Sequence, residues 1–260
     1  MKAFIKSYWK TLLFFTAVGL FGGYFVGLYL LDSYPAEIRI QLMEELNAVG
    51  LGQLPLDIVL GVTTAFQSAG YGLVLGAIGI FLAKRIGLWQ DERKITKKPL
   101  LITLLVAVMG GLGMILPDVL FFGRYSTAIM ESYSAKPTIP YLLATVSYGA
   151  VIEEVMLRLF FMSLLAFLLH KLLCKEQKQP PTWILITANL LSALLFAASH
   201  LPTTILLLGN SPLLIFRCFL LNGSLGLLFG WLYRRLGLRY AMIAHGGCHL
   251  VSKLIWILFI

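Results

Sequence analysis

Three short stretches carry the residues whose types and spacing could do chemistry: EEVMLR at 153–158, FAASH at 196–200 and HGGCH at 245–249. Their ionisable side chains are Glu153, Glu154, Arg158, His200, His245 and His249. Glu154 and Arg158 stand four residues apart with the acid first, the favourable order for an ion pair on one helix face. Glu153 projects about 100° away, because a helix turns once every 3.6 residues. Two carboxylates facing one guanidinium leave an excess negative charge, and a carboxylate without its own cation is a candidate general base. His245 and His249 share one face of a helix. That spacing suits two ligands of a metal ion, and it also suits two hydrogen-bond donors aimed at one oxygen. His200 ends a helical stripe of Asn189, Ala193, Phe196 and His200. Together these groups supply what activation of water requires: a base, a partner to share its proton, and donors for a developing oxyanion. Each also has a plainer reading, in which EEVMLR binds helices together and His200 is a hydrogen-bonded packing residue.

The elements that must position them are membrane helices. The chain has 260 residues, of which 59% are hydrophobic and 13% charged. Soluble domains run near 45–50% apolar and about 25% charged. Charge-free runs cover 11–31, 58–83, 99–116 and 183–202, each near the roughly 20 residues that span a hydrocarbon core. Two further runs, 212–233 and 240–260, carry one charge each, Arg217 and Lys253. With the segment from Ile139 to Leu169, about seven spans result, with room for an eighth. Only helices and closed barrels satisfy the backbone in lipid, and runs this long are helical. The expected fold is an all-α, polytopic integral membrane helix bundle. The first run is longer than a signal-peptide core and lacks a small-residue cleavage site, so it reads as a retained helix. Residues 1–138 read as an N-terminal three-span region, with two amphipathic outer-loop segments at 35–57 and 118–136. Residues 139–260 read as the catalytic core of the same integrated domain.

Charge sets the orientation. The net charge is +9, and 15 of the 21 basic residues fall before the first span or in the second, fourth and sixth loops. The other loops hold only Arg39, Arg124 and Lys136. This asymmetry is the positive-inside pattern. It places the N-terminus in the cytoplasm and the C-terminus outside, and it assigns the basic loops to anionic lipid rather than nucleic acid. Cys174, Cys218 and Cys248 have no paired spacing and read as small apolar residues. Lys253 continues the His245–His249 stripe; snorkelling to outer headgroups and offsetting the two carboxylates are both open to it.

The three motifs, in this order on late helices, resemble those of the CAAX protease and bacteriocin-processing (CPBP) family of intramembrane endopeptidases, which shows E-E-x-x-x-R, F-x-x-x-H and H-x-x-x-N. The glycine-spaced approach GLLFGWLYRRLGLRYAMIAH also looks like that family, and the resemblance covers roughly residues 139–255. It implies a glutamate-dependent peptidase. Glu153 with His200 would deprotonate water, His245 and His249 would stabilise the oxyanion, and Glu154 with Arg158 would orient the site. It further implies a cavity within the membrane that opens to the cytoplasm, and a peptide or lipidated protein as substrate. The compact chain and its featureless loops suggest a bacterial cell-membrane protein, and bacterial relatives in that family are linked to bacteriocin immunity and peptide maturation. Position 249 departs from the family, with His in place of Asn. The imidazole still donates a hydrogen bond, so an oxyanion role survives, and the resemblance implies a metal-free route with no cofactor. The same change makes Glu153, His200, His245 and His249 an alternative zinc-ligand set. The competing function is a non-catalytic immunity or scaffold protein, or a small transporter using the buried charges as a proton relay.

Overall fold

The computed structural model describes residues 2–90 and 94–260; Arg93 of the second basic loop lies outside the described residues. Among the described residues the chain forms nine helices and no strand. They are α1 (Lys2–Ser33), α2 (Ala36–Ala48), α3 (Leu56–Arg85), α4 (Lys97–Leu120), α5 (Thr127–Ser134), α6 (139–173), α7 (Thr182–Leu208), α8 (Pro212–Leu236) and α9 (Leu238–Phe259). Six of them, α1, α3, α4, α7, α8 and α9, are long and apolar enough to cross a membrane. The chain is thus a polytopic helical membrane bundle.

Local signals explain where the helices begin and end. Pro212 sits in the first turn of α8 and Pro140 in that of α6, where a missing N–H is harmless. Ser211 caps α8 by accepting from the Leu214 N–H, and Thr138 caps α6 by accepting from the Tyr141 N–H. Lys84 and Arg85 close α3, and Arg234 and Arg235 close α8, each pair complementing the negative end of the helix dipole.

Helix α6 lies at the centre of the bundle, packed by α1, α3, α7 and α9. It is not uniform. Residues Thr145–Glu153 and Val155–Met162 adopt the wider π-helical turn, with Glu154 between them. π-Turns free backbone carbonyls and recur at functional sites. One freed partner is visible here: Ser192 of α7 donates to the Leu157 carbonyl at 2.8 Å, which ties α7 to α6. Helix α9 presses closely on α4, since a Cβ on Gly247 would lie 2.6 Å from the Ala107 Cβ.

At the end of the bundle that carries the basic loops, a continuous apolar core fills the interior. Leu12, Ile80, Leu159, Ala188, Leu232 and Ala241 are all part of it, contributed by six different helices.

The expected outer-loop helices are only partly as read. The first, α2, is a helix with no buried residue. The second divides. Helix α4 continues through Pro117 to Leu120, a 3-10 turn follows at Phe122–Arg124, and α5 buries Ile129. Asp118 therefore belongs to a spanning helix and is fully buried, although its place at the start of the 118–136 segment had pointed to an outer loop. The reason is a partner contributed from 99 residues away, described below.

Candidate active site

The two adjacent glutamates of α6 occupy different environments. Glu154 is 0% exposed. Its Oε1 lies 3.1 Å from Arg158 Nη1 and accepts from His245 Nδ1 at 2.9 Å. Arg158 is held in turn. Its Nη2 donates to the Gly226 carbonyl of α8 at 3.2 Å, and its guanidinium stands 4.5 Å from the Phe196 ring and 5.5 Å from the Phe229 ring. This buried assembly joins α6, α7, α8 and α9 through one ion pair. Glu153 is 22% exposed and lines a cavity of about 680 Å³. Its Oε2 is buried without a hydrogen-bond partner, and His245 Nε2 lies 3.9 Å from it.

His200 reaches the same cavity because α7 breaks beneath it. Pro202 cannot donate a backbone hydrogen bond, so the helix divides at His200, which ends Thr182–Ser199 and starts Leu201–Leu208. The His200 ring packs edge-on to Phe196, and its Nδ1 donates to the Phe196 carbonyl at 2.8 Å. The proton on Nδ1 leaves Nε2 of the neutral ring as an acceptor.

His249 lines the cavity from α9. Lys253 Nζ lies 3.2 Å from its Nδ1. With Lys253 as an ammonium, which only donates, Nδ1 accepts and the proton of the neutral ring sits on Nε2. That atom faces α6, where a Cβ on Gly149 would come within 3.3 Å of it. The two cavity imidazoles therefore present opposite polarity: His200 Nε2 accepts and His249 Nε2 donates. His245 stacks between Phe229 (4.6 Å) and His249 (5.0 Å). It is 3% exposed and sits behind the cavity wall. With its Nδ1–H given to Glu154, its Nε2 carries a proton only as imidazolium.

All six residues singled out in the sequence thus converge: Glu153, His200 and His249 on the cavity, and Glu154, Arg158 and His245 behind it. Lys253 turns inward, only 4% exposed, with the Tyr141 hydroxyl 3.3 Å away and the Tyr141 ring 4.4 Å away. It does not snorkel.

Sequence reasoning missed a second buried ion pair. Arg217 of α8 pairs with Asp118 of α4 through both of its Nε and Nη2 atoms, and Tyr133 donates to Asp118 Oδ2 at 2.8 Å. Burial, then the adjacent carboxylate, raises the Tyr133 hydroxyl well above its ordinary range, so it stays a donor. The signal was available: a lone arginine in a span requires an acid, and Asp118 stands two residues beyond the charge-free run 99–116.

Among the described residues no three His, Cys, Asp or Glu side chains are grouped to hold a metal ion. Glu153, His200, His245 and His249 are divided between the cavity and the wall behind it. The three cysteines are free.

Residues 135–251 match the family model described as type II CAAX prenyl endopeptidase, Rce1-like. The match runs from the α5–α6 linker into α9 and takes in all three motifs. No curated protein and no solved structure gives a significant match to the chain.

Proposed function

Because residues 135–251 are those of a CAAX-type endopeptidase family, we propose that this chain is an intramembrane endopeptidase that hydrolyses a peptide bond in a membrane-associated peptide or lipid-anchored protein. The single observation that carries the reading is that Glu153, His200 and His249 line one cavity while Glu154 beside them is committed to Arg158 and His245. Two carboxylates in contrasting environments are the usual arrangement for giving one of them an acid–base role.

In this mechanism Glu153 takes a proton from water, with His200 Nε2 accepting the second hydrogen bond that orients it. The hydroxide adds to the scissile carbonyl carbon, and the electron pair of the carbonyl moves to oxygen. His249 Nε2–H donates to that oxyanion. The C–N bond then breaks, and protonated Glu153 returns its proton to the leaving amine. His245 joins the donors only as an imidazolium. Glu154 and Arg158 position His245. No metal takes part in any step.

The test uses the full chain, purified in detergent, with a quenched fluorescent peptide ending in a farnesylated CAAX sequence and its unlipidated counterpart. Cleavage of either by the wild type, and its loss in Glu153→Gln and His200→Ala with circular dichroism unchanged, supports the reading. Full cleavage by Glu153→Gln overturns the role of Glu153. Loss of activity in a strong chelator, restored by zinc, overturns the metal-free mechanism and leaves the peptidase. If both variants also support full cellular function, the immunity or scaffold reading replaces the enzyme.

A further inference from the structure

The Glu153–His200–His249 cavity draws all of its exposed lining residues from one end of the bundle. Its exposed lining includes Asp32 at the close of α1, Ala135 and Lys136 in the α5–α6 linker, and Leu207 at the end of α7. From there it runs inward past Tyr141 and Tyr148 to Glu153. Glu153 lies 14 residues along α6 from Ile139, so the path is about 20 Å at roughly 1.5 Å per residue. Beyond Glu153 the way is shut. Val155, Leu159 and Met162 of α6 are all 0% exposed, packed with Ile80 of α3 and Leu232 of α8.

The shut end is the one that carries the charge. Lys84 and Arg85 close α3, Lys97 and Lys98 open α4, Lys171 is in the last turn of α6, and Arg234 and Arg235 close α8. The open end has only Arg39, Arg124 and Lys136 in its loops. Basic residues in short loops are retained on the cytoplasmic side, and each contributes roughly 1 kcal/mol of attraction to the anionic inner leaflet. The difference in loop charge between the two ends is large and of one sign.

We infer that the cavity opens to the extracytoplasmic face, and that the segment cleaved is one already on that side of the membrane: a translocated peptide or the outer juxtamembrane stretch of a membrane protein, rather than the tail of a cytosolic protein. The inference rests on the endopeptidase reading for its chemistry and on charge and cavity shape for its direction. It departs from the cytoplasmic opening that resemblance to the CAAX proteases implies. The lining chemistry agrees with a peptide guest. Tyr29, Tyr141 and Trp256 form an aromatic wall, with Tyr29 stacked on Tyr141 at 4.6 Å. Asn222, Thr203 and Thr204 offer polar groups to a backbone.

The experiment uses intact cells producing the full chain in a Cys174→Ser background, where the two remaining cysteines are buried. Ala135→Cys marks the cavity mouth, and Lys178→Cys marks the exposed loop between α6 and α7. Both are treated with a bulky membrane-impermeant maleimide, before and after permeabilisation. The expected result is labelling of Ala135→Cys in intact cells and of Lys178→Cys only after permeabilisation; the reverse order overturns the inference. The labelled proteins are then purified and assayed with the quenched peptides. Labelled Ala135→Cys should lose at least tenfold of its own unlabelled activity, and labelled Lys178→Cys should lose none. Equal activity before and after labelling at Ala135→Cys overturns the assigned mouth. A chain that cleaves nothing while labelling as expected removes the endopeptidase reading and leaves the orientation standing.

Discussion

The two ends of this bundle are built on opposite principles. At the basic end, α1, α3, α6, α7, α8 and α9 meet through Leu12, Ile80, Leu159, Ala188, Leu232 and Ala241, all buried. At the other end α1, α4, α6, α7, α8 and α9 part around a cavity of about 680 Å³ whose walls carry Glu153, His200, Arg217, His249 and Lys253. Dispersion and close packing organise the first region. Buried ion pairs organise the second: Glu154–Arg158 at the junction of the two regions and Asp118–Arg217 nearer the mouth. The contrast teaches that the charges in these spans have two separate duties. Some replace packing where the helices diverge, and Glu153 is left over for chemistry.

The largest expected effect breaks the contrast at its chemical extreme. Glu153→Gln should lower kcat by about 10²–10⁴, the usual contribution of a general base, with thermal unfolding in detergent unchanged because the side chain already faces the cavity. Removing His249 as a donor should cost about 10²–10³ in kcat. His249→Leu is the variant that shows it, and His249→Asn, which keeps a donor, should retain activity within about tenfold of wild type.

Next comes the ionic framework. Glu154→Ala leaves Arg158 buried without its acid, and stranding one partner of such a pair costs roughly 3–5 kcal/mol. Loss of folded protein on detergent thermal melts is expected, together with loss of activity. Asp118→Ala should do the same near the mouth, and a melt unchanged by both variants would show that packing, not ion pairing, holds the cavity half. Leu159→Ala probes the dry half. It should destabilise by about 2–5 kcal/mol while the specific activity of the folded fraction stays at the wild-type level.

The smallest effect sharpens the boundary. Lys253→Met should reduce kcat by about tenfold with little change in KM, because it removes the donor that fixes the His249 tautomer. Lys253→Arg should recover most of the loss.

How much of this was legible in sequence follows the same division. The spans could be read from run length, since lipid forces helices. Glu153, Glu154, Arg158, His200, His245 and His249 could be read from type and spacing, since ionisable groups in a membrane are costly. Roles within the set could not. The partition of the two glutamates depends on His245 approaching from 91 residues away. The opposite polarity of His200 and His249 depends on the Phe196 carbonyl and Lys253. The π-turns of α6 leave no local mark in composition, and the Asp118–Arg217 pair joins residues 99 apart. The direction of the cavity needed the charge pattern and the packing together.

The central claim is that Glu153 activates water in the shared cavity. The most direct test is cleavage of the farnesylated and unlipidated quenched fluorescent peptides by purified wild type and Glu153→Gln, with unfolding temperatures measured on the same samples. The account predicts cleavage by the wild type and a loss of at least about 10²-fold in the variant, at matched stability. Wild-type rates in Glu153→Gln would contradict it.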